Sequence, residues 1–155
     1  MKSDRFKTLA SNRKAYHEYF IEDTFEAGIV LTGTEIKSVR AGQVNLRDSY
    51  AVIDDGELWM MNAHIAAYRG GSYFNHEPRR QRKLLMHRRE IDRLLGKVQE
   101  KGFTLIPLRV YLKDNRAKVE LGLARGKKQY DKRATLREKE SRREVERTMA
   151  RYGRE

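Results

Sequence analysis

Residues 106–123 read IPLRVYLKDNRAKVELGL, with apolar side chains at alternate positions on both sides of the pair Asp114-Asn115. A period of two is typical of strands with one buried face, and a short polar pair between two such runs predicts a hairpin. Pro107 has no amide hydrogen for a ladder, so we expect it at a sheet edge, a bulge or a barrel seam. A long antiparallel hairpin is therefore the first element of the predicted fold.

Further strand patterns lie upstream of this hairpin. Alternation from Tyr16 to Leu31, with a break at Gly28, predicts one bent strand or two. A second hairpin is predicted between Val44 and Ile65. These patterns give about six strands, and a half-buried antiparallel sheet of that size closes most economically into a barrel. We therefore predict a mainly β protein with a small antiparallel OB-like barrel.

Two helices are predicted beside these strands, and a third in the basic tail described below. Thr34 occupies an N-cap position and Gly42 a C-terminal stop, which together predict a helix of about two turns. Apolar residues from Ile91 to Val98 follow the spacing i, i+3, i+4 and i+7, and Gly102 ends the pattern. This second segment is therefore predicted to form a longer amphipathic helix.

The charge of the chain points to a polyanionic partner. Its 155 residues include 34 Lys and Arg against 22 Asp and Glu, for a net charge of +12, and nucleic acid is the first candidate for such a protein. An anionic membrane is the competitor, but no apolar run approaches the roughly 18 residues that a membrane span needs. Nor does an apolar signal-peptide segment follow Met1. We expect a soluble, cytoplasmic protein.

The positive charge continues into a C-terminal tail. From Arg125 to Glu155, twelve Lys or Arg residues accompany six Asp or Glu. Side-chain ion pairs of about 0.2–0.5 kcal/mol each cannot hold such a segment as an isolated helix in water. We expect a flexible arm at residues 1–11, an RNA-binding barrel at 12–125, and a tail at 126–155 that is disordered when free and helical on its RNA partner.

The sequence carries no motif of a catalytic or metal site. It has no Cys, and its four His lack the spacing of a zinc site. The stretch Gly122–Lys128 lacks one spacer residue of a phosphate-binding loop and has Lys128 where that loop needs Ser or Thr. The Gly-x-Ser-x-Gly pattern of acyl transfer is absent. We predict no enzymatic activity, no metal and no cofactor.

Three regions combine cations with aromatic rings, namely residues 12–17, 76–89 and 125–133. The repulsion within such clusters is offset when a phosphate backbone binds and releases its counterions. In the third region Gly126 permits close approach of the backbone, and Tyr130 offers a ring on which a base can stack. Each region could instead be an ordinary solvated surface, and Leu84 and Leu85 in the second could be core residues.

Five motifs between Asn12 and Arg133 carry a family resemblance. They are NRKA at 12–15, FEAGI at 25–29, GTEIKSVR at 33–40, EPR at 77–79 with RKLL at 82–85, and GKKQYDKR at 126–133. Together and in this order they resemble the SsrA-binding protein family. The resemblance implies an OB-fold barrel with helices, no enzymatic activity, and binding to the tRNA-like domain of tmRNA. It further implies that the protein, as a monomer, enters a stalled ribosome with tmRNA at the place of an anticodon arm, after which the nascent chain is tagged for proteolysis.

The resemblance also implies roles for individual residues. Glu26 and Leu85 match positions that contact the tmRNA elbow, while His87 stands where relatives can carry Asn. His17 and Tyr130 match positions near the decoding centre, among small-subunit ribosomal RNA, and Asp131, Lys132 and Arg133 would lie in the empty mRNA channel, where the tail becomes helical. The full set of expected RNA-binding residues is Asn12, Arg13, Lys14, Glu26, Arg79, Arg82, Lys83, Leu85, His87, Lys118, Arg125, Gly126, Lys127 and Lys128.

One alternative stays open at this point. A generic OB-fold RNA-binding protein, such as a translation factor or a ribosomal protein, would share the barrel and the basic tail. Such a protein would bind single strands broadly, whereas the resemblance implies recognition of a folded tRNA-like elbow through shape and 2′-hydroxyl contacts.

Overall fold

The computed structural model describes residues 6–70 and 75–127, with the side chains of residues 100 and 101 excepted. In chain order the elements are β1 (Phe6–Ser11), α1 (Arg13–Glu18), β2 (Tyr19–Ile29), α2 (Gly33–Arg40), β3 (Val44–Asn45), β4 (Tyr50–Asp54), β5 (Glu57–Met61), β6 (His64–Ile65), β7 (Arg82–Leu85), α3 (Arg88–Lys101), β8 (Thr104–Lys113) and β9 (Arg116–Gly126). Contacts divide the chain into two units at Arg125, and nearly everything described below belongs to the first unit.

Hydrogen bonds between the strands close a ring. The order β8-β4-β5-β7-β2-β9 returns to β8, because β8 and β9 also pair with each other. β1 adds to β8, and β3 pairs with β6 in a separate two-stranded sheet. The predicted six-stranded antiparallel barrel of OB-like form is confirmed.

The predicted hairpin of residues 106–123 is confirmed as β8 and β9. Asp114 and Asn115 both have positive φ, 51° and 64°, which is the geometry of a two-residue hairpin turn. The β8–β9 register shifts between Pro107 and Arg109, so Pro107 lies at a bulge, one of its three expected positions. The bulge changes which face the apolar residues occupy, and Leu108 therefore packs in a second apolar cluster outside the main core.

The expected arm at residues 1–11 is wrong for residues 6–11, because β1 pairs with β8 from Phe6↔Lys113 to Ser11↔Arg109. The physical reason is the length of β8. On this edge β4 pairs with β8 only at Ala51↔Leu105, which leaves the rest of the edge open to another strand. Residues 1–5 lie outside the described part of the chain.

The strand expected to begin at Tyr16 begins at Tyr19 instead, since residues 13–18 form α1. Asn12 is the N-cap, and its side-chain Oδ1 accepts a hydrogen bond of 3.2 Å from the Ala15 amide. Ala15 is buried against the second apolar cluster, so tertiary packing favours the helix over the alternating pattern. β2 passes through Gly28 without a break, and a Cβ at Gly28 would lie 3.3 Å from Leu85 Cβ in β7.

The two predicted helices are confirmed, with one shifted start. α2 begins at a capping box formed by Thr32 and Glu35, two residues before the expected cap at Thr34. Gly102 ends α3 in the left-handed conformation, as the sequence predicted. In the described part of the chain no helix is long and apolar enough to cross a membrane.

A buried ion pair joins α2 to β7. The Glu35 carboxylate accepts hydrogen bonds from Arg82 Nε at 2.7 Å and from Arg80 Nη2 at 2.5 Å, and the side chains of Glu35 and Arg82 are fully buried. Burial alone would raise the pKa of Glu35, but hydrogen bonds from Arg80, from the Thr32 amide and from Arg82 outweigh burial and lower the pKa to about 2. Arg82 also donates to the Ala63 carbonyl at 2.6 Å, so the pair fixes several chain segments at once.

We predict that Glu35→Gln lowers the free energy of unfolding by about 3–5 kcal/mol, because the substitution leaves the buried Arg82 charge uncompensated. Urea denaturation measures this loss. The matched control is Glu57→Gln, which breaks a half-exposed pair with Lys83 at 3.4 Å. Glu57→Gln should lower the free energy of unfolding by about 1 kcal/mol or less. Equal losses in the two variants would contradict the importance of the buried pair.

Urea denaturation at several pH values tests whether the ionised form of Glu35 is what stabilises the fold. Folding lowers the pKa of Glu35 to about 2, so its contribution to stability is complete above about pH 4.5 and is lost as the pH falls toward 2. The difference in unfolding free energy between the wild type and Glu35→Gln should therefore shrink across that interval. A difference that stays constant would mean that the charge of the carboxylate is not what stabilises the fold.

Candidate nucleic-acid interface

A groove of about 680 Å³, here called the Glu26 groove, opens beside β2. It brings together four of the expected RNA-binding residues, which are Glu26 on β2, Leu85 on β7, His87 before α3 and Lys118 on β9. The barrel explains this convergence, because β7 and β9 are the two neighbours of β2 in the ring. Residues far apart in the sequence thus line one surface.

The floor of the Glu26 groove depends on a close approach of two strands. Gly28 pairs with Leu85, and the absent side chain at Gly28 leaves room for the Leu85 Cβ. Leu85 is 52% exposed, the largest fraction among the exposed large apolar side chains that the structure describes, and it is not a core residue. Phe25 and Met86 add apolar surface to the same groove. A base or a sugar face can pack on such a surface.

Glu26 is held as an ionised hydrogen-bond acceptor. Its Oε2 accepts a hydrogen bond of 2.5 Å from the Tyr111 hydroxyl and one of 3.5 Å from Lys113 Nζ. The bond from Tyr111 lowers the pKa of Glu26 most; partial burial opposes this shift, and the charges of Lys113 and Lys118 assist it. A carboxylate in this state can accept hydrogen bonds from ribose 2′-hydroxyls or from base amino groups.

A second surface, here called the α1 surface, comprises Arg13, Lys14, His17 and Arg47 around a groove of about 470 Å³. Lys14 Nζ forms ion pairs with Asp48 at 3.1 Å and Glu18 at 3.5 Å. Its hydrogen bond to Asp48 raises the pKa of Lys14. Arg13 and His17 are exposed on α1. The lining of this groove shares no residue with that of the Glu26 groove.

Asn12 and Arg82 were expected to contact RNA, and the structure places both in the interior. The Asn12 amide donates to the carbonyls of Leu46 at 3.2 Å and Pro107 at 3.0 Å, and the residue is 5% exposed. Arg82 has no exposed surface, because it pairs with Glu35. The structure therefore leaves neither side chain exposed for the expected contact with RNA. Their functions are to cap α1 and to anchor β7.

The expected cations Arg79, Lys83 and Arg125 do not line the Glu26 groove. Arg79 is exposed and donates to Asn62 Oδ1 at 3.0 Å, and Lys83 pairs with Glu57. Arg125 pairs with Glu22, and its guanidinium lies 4.8 Å from the centre of the Phe103 ring. Of the tail residues, only Gly126 and Lys127 are described, both partly exposed. The expected residues beyond them lie outside the described part of the chain, namely Lys128, Tyr130, Asp131, Lys132 and Arg133.

Sequence reasoning missed the residues that support Glu26. Tyr111 and Lys113 belong to the alternating pattern of β8, but nothing in that pattern indicates that they reach a carboxylate 85 or 87 residues away. Only the barrel register brings β8 close to β2. Among the residues that the structure describes, no group of three or more His, Asp or Glu could hold a metal ion.

Comparison with known proteins identifies the family. The model of the family described as SmpB protein matches residues 9–151. The SsrA-binding protein of Roseiflexus sp. (strain RS-1) is 61% identical over 148 residues, which cover 95% of this chain and 94% of that protein. The SsrA-binding protein of Carboxydothermus hydrogenoformans is 60% identical over 147 residues, which cover 94% of this chain and 99% of that protein.

A solved structure agrees with these matches. It comes from work described as "tmRNA-SmpB: a journey to the center of the bacterial ribosome", and its chain is 56% identical with a TM-score of 0.64. The alignment covers 76% of this chain and 82% of that chain. Since the family model spans most of the sequence and the relatives align over nearly their whole length, the chain belongs to the SmpB family.

Proposed function

We propose that this chain binds the tRNA-like domain of tmRNA and delivers it to stalled ribosomes for trans-translation. Its relatives are SsrA-binding proteins, and its structural neighbour is SmpB with tmRNA in the bacterial ribosome. The observation that carries the proposal is the Glu26 groove, where Glu26, Leu85, His87 and Lys118 converge from four parts of the sequence.

The chemistry of this groove suits a folded RNA. Lys118 supplies a cation for a phosphate, Leu85 an exposed apolar contact, and Glu26 an acceptor for hydroxyl or amino hydrogens. A carboxylate repels phosphates, and the groove contains two, those of Glu26 and Glu90, so it accepts RNA only where donor groups meet them. The groove therefore favours one RNA shape over an arbitrary strand.

The α1 surface and the tail are the parts that we assign to the ribosome. His17 lies beside Arg13 and Lys14 on a cationic surface separate from the Glu26 groove, as a protein with two RNA contacts requires. We place His17 and Tyr130 at the decoding centre and Asp131, Lys132 and Arg133 in the mRNA channel. A cationic tail can enter that channel only when mRNA is absent, so occupancy of the channel would distinguish stalled ribosomes from active ones.

In this proposal the protein acts by binding RNA, not by catalysing a reaction. Its family is one of RNA-binding proteins, and the two grooves contain acceptors, cations and apolar groups that suit RNA. A protein that works on ribosomes is expected in the cytoplasm, as a monomer within the complex.

We predict that the protein binds tmRNA more tightly than it binds an elongator tRNA or an unstructured RNA of equal length, because the groove selects a shape. A gel shift at a stated salt concentration near physiological ionic strength measures all three affinities. Equal affinity for the three RNAs would contradict the proposal and favour a general RNA-binding protein.

Glu26→Ala should weaken binding to the tRNA-like domain by about tenfold or more, because a hydrogen bond to a charged acceptor is lost. Filter binding measures the Kd. Asp54→Ala is the matched control, since Asp54 is exposed at the end of β4 and does not line the Glu26 groove. If Glu26→Ala bound as the control does, Glu26 would not belong to the interface.

Ending the chain after Arg125 should leave the affinity for tmRNA mostly intact and abolish tagging of chains on stalled ribosomes. The residues that line the Glu26 groove all lie between Thr24 and Lys118, so the truncation leaves them in place. Binding assays and a reconstituted tagging reaction measure the two effects. A chain that ends after Tyr152 serves as the control and should retain both properties. Loss of tmRNA binding in the shorter chain would instead make the tail the anchor.

A further inference from the structure

Tyr111 lies behind the Glu26 groove and outside its lining. The residue is on β8, which contributes no residue to the groove, and it is only 2% exposed. Its hydroxyl nevertheless donates a hydrogen bond of 2.5 Å to Glu26 Oε2. Tyr111 is therefore connected to the groove only through its hydrogen bond to the Glu26 carboxylate. Its own burial shields it from an RNA bound in the groove.

Two other residues, Phe6 and Arg109, pack against the Tyr111 ring. Phe6 of β1 stacks on it with ring centres 4.6 Å apart. The Arg109 guanidinium lies 4.8 Å from the centre of the Tyr111 ring and 4.8 Å from that of Phe6. Arg109 is held in turn by a hydrogen bond of 3.1 Å to Glu120. A ring packed in this way has little freedom, so its hydroxyl occupies a defined position.

A defined hydroxyl position restricts Glu26. A glutamate on the surface of a strand otherwise samples several rotamers, and ordering it upon binding costs free energy. Both contacts recorded for Glu26 among the described residues, from Tyr111 and Lys113, go to Oε2. A carboxylate has a second oxygen, so Oε1 can accept a hydrogen bond from RNA while Oε2 is held from behind.

We infer that Tyr111 is a positioning residue for RNA recognition, which orients the Glu26 carboxylate before RNA arrives and is itself held by Phe6 and Arg109. The inference rests on the proposed function of the Glu26 groove. It assigns to β1 a part in RNA binding, through Phe6, although β1 contributes no residue to the groove.

The test is a double-mutant cycle between Tyr111 and Glu26. Tyr111→Phe keeps the ring and removes the hydroxyl, and it should raise the Kd for the tRNA-like domain by about fivefold in the otherwise wild-type chain. In the Glu26→Ala background the same substitution should have no effect, because the group that it positions is gone. The matched control is Tyr50→Phe, in an exposed tyrosine of β4, which should leave the Kd unchanged.

The cycle separates positioning from a general effect on the fold. A loss of affinity caused by destabilisation would appear equally in the wild-type and Glu26→Ala backgrounds, and this result would overturn the inference. Unchanged affinity of Tyr111→Phe would overturn it too. Phe6→Leu is a second variant, which keeps the Tyr111 hydroxyl and loosens the packing of its ring. It should reduce the affinity for the tRNA-like domain less than Tyr111→Phe does, and this reduction should also disappear in the Glu26→Ala background.

The outcome also distinguishes this inference from the function on which it rests. If Glu26→Ala weakens binding and Tyr111→Phe does not, the interface stands and the positioning role fails. If Glu26→Ala itself binds normally, the proposed interface fails and the positioning role fails with it. Urea denaturation of each variant verifies that folded protein is compared.

Discussion

The pairing of β8 with three other strands is the constraint on which the rest of the structure depends. β9 pairs along one edge of β8, and β4 and β1 share the other edge. Without the β8–β9 ladder the ring of six strands would be an open sheet with β9 at one edge. β2 pairs with β7 and with β9, which brings together the strands that line the Glu26 groove, and closure through the β8–β9 ladder adds β8, whose Tyr111 reaches Glu26.

The cations of this protein serve two different purposes, and burial separates them. Arg82 is enclosed with Glu35, where a single charge would be costly and a well-bonded pair is tolerated. Arg13 and Arg79 are exposed, where a cation remains available to phosphates. Because Glu35 cancels the charge of Arg82, the buried pair contributes nothing to the net charge of +12, which the rest of the chain carries.

Local signals in the sequence predicted the elements that depend on local physics. The alternation of β8 and β9, the turn at Asp114-Asn115 and the Gly102 stop of α3 all lie within a few residues of what they determine. The sequence did not reveal β1 and α1, because β1 depends on an open edge of β8 and α1 on packing of Ala15. For the site, the family resemblance indicated Glu26, Leu85 and His87, and Lys118 stood beside them in the set of expected RNA-binding residues. The interior position of Arg82 was not predictable, since its partner lies 47 residues away in sequence.

The bulge at Pro107 lets a single strand support both the α1 surface and the Glu26 groove. Leu108 packs with Ala15 beneath α1, and three residues further along the same strand Tyr111 bonds to Glu26. An extended strand advances about 3.3 Å per residue, so these two supports lie about 10 Å apart. The ladders on both edges prevent this distance from changing. β8 thus holds a fixed spacing between the residue that supports α1 and the hydroxyl that holds Glu26.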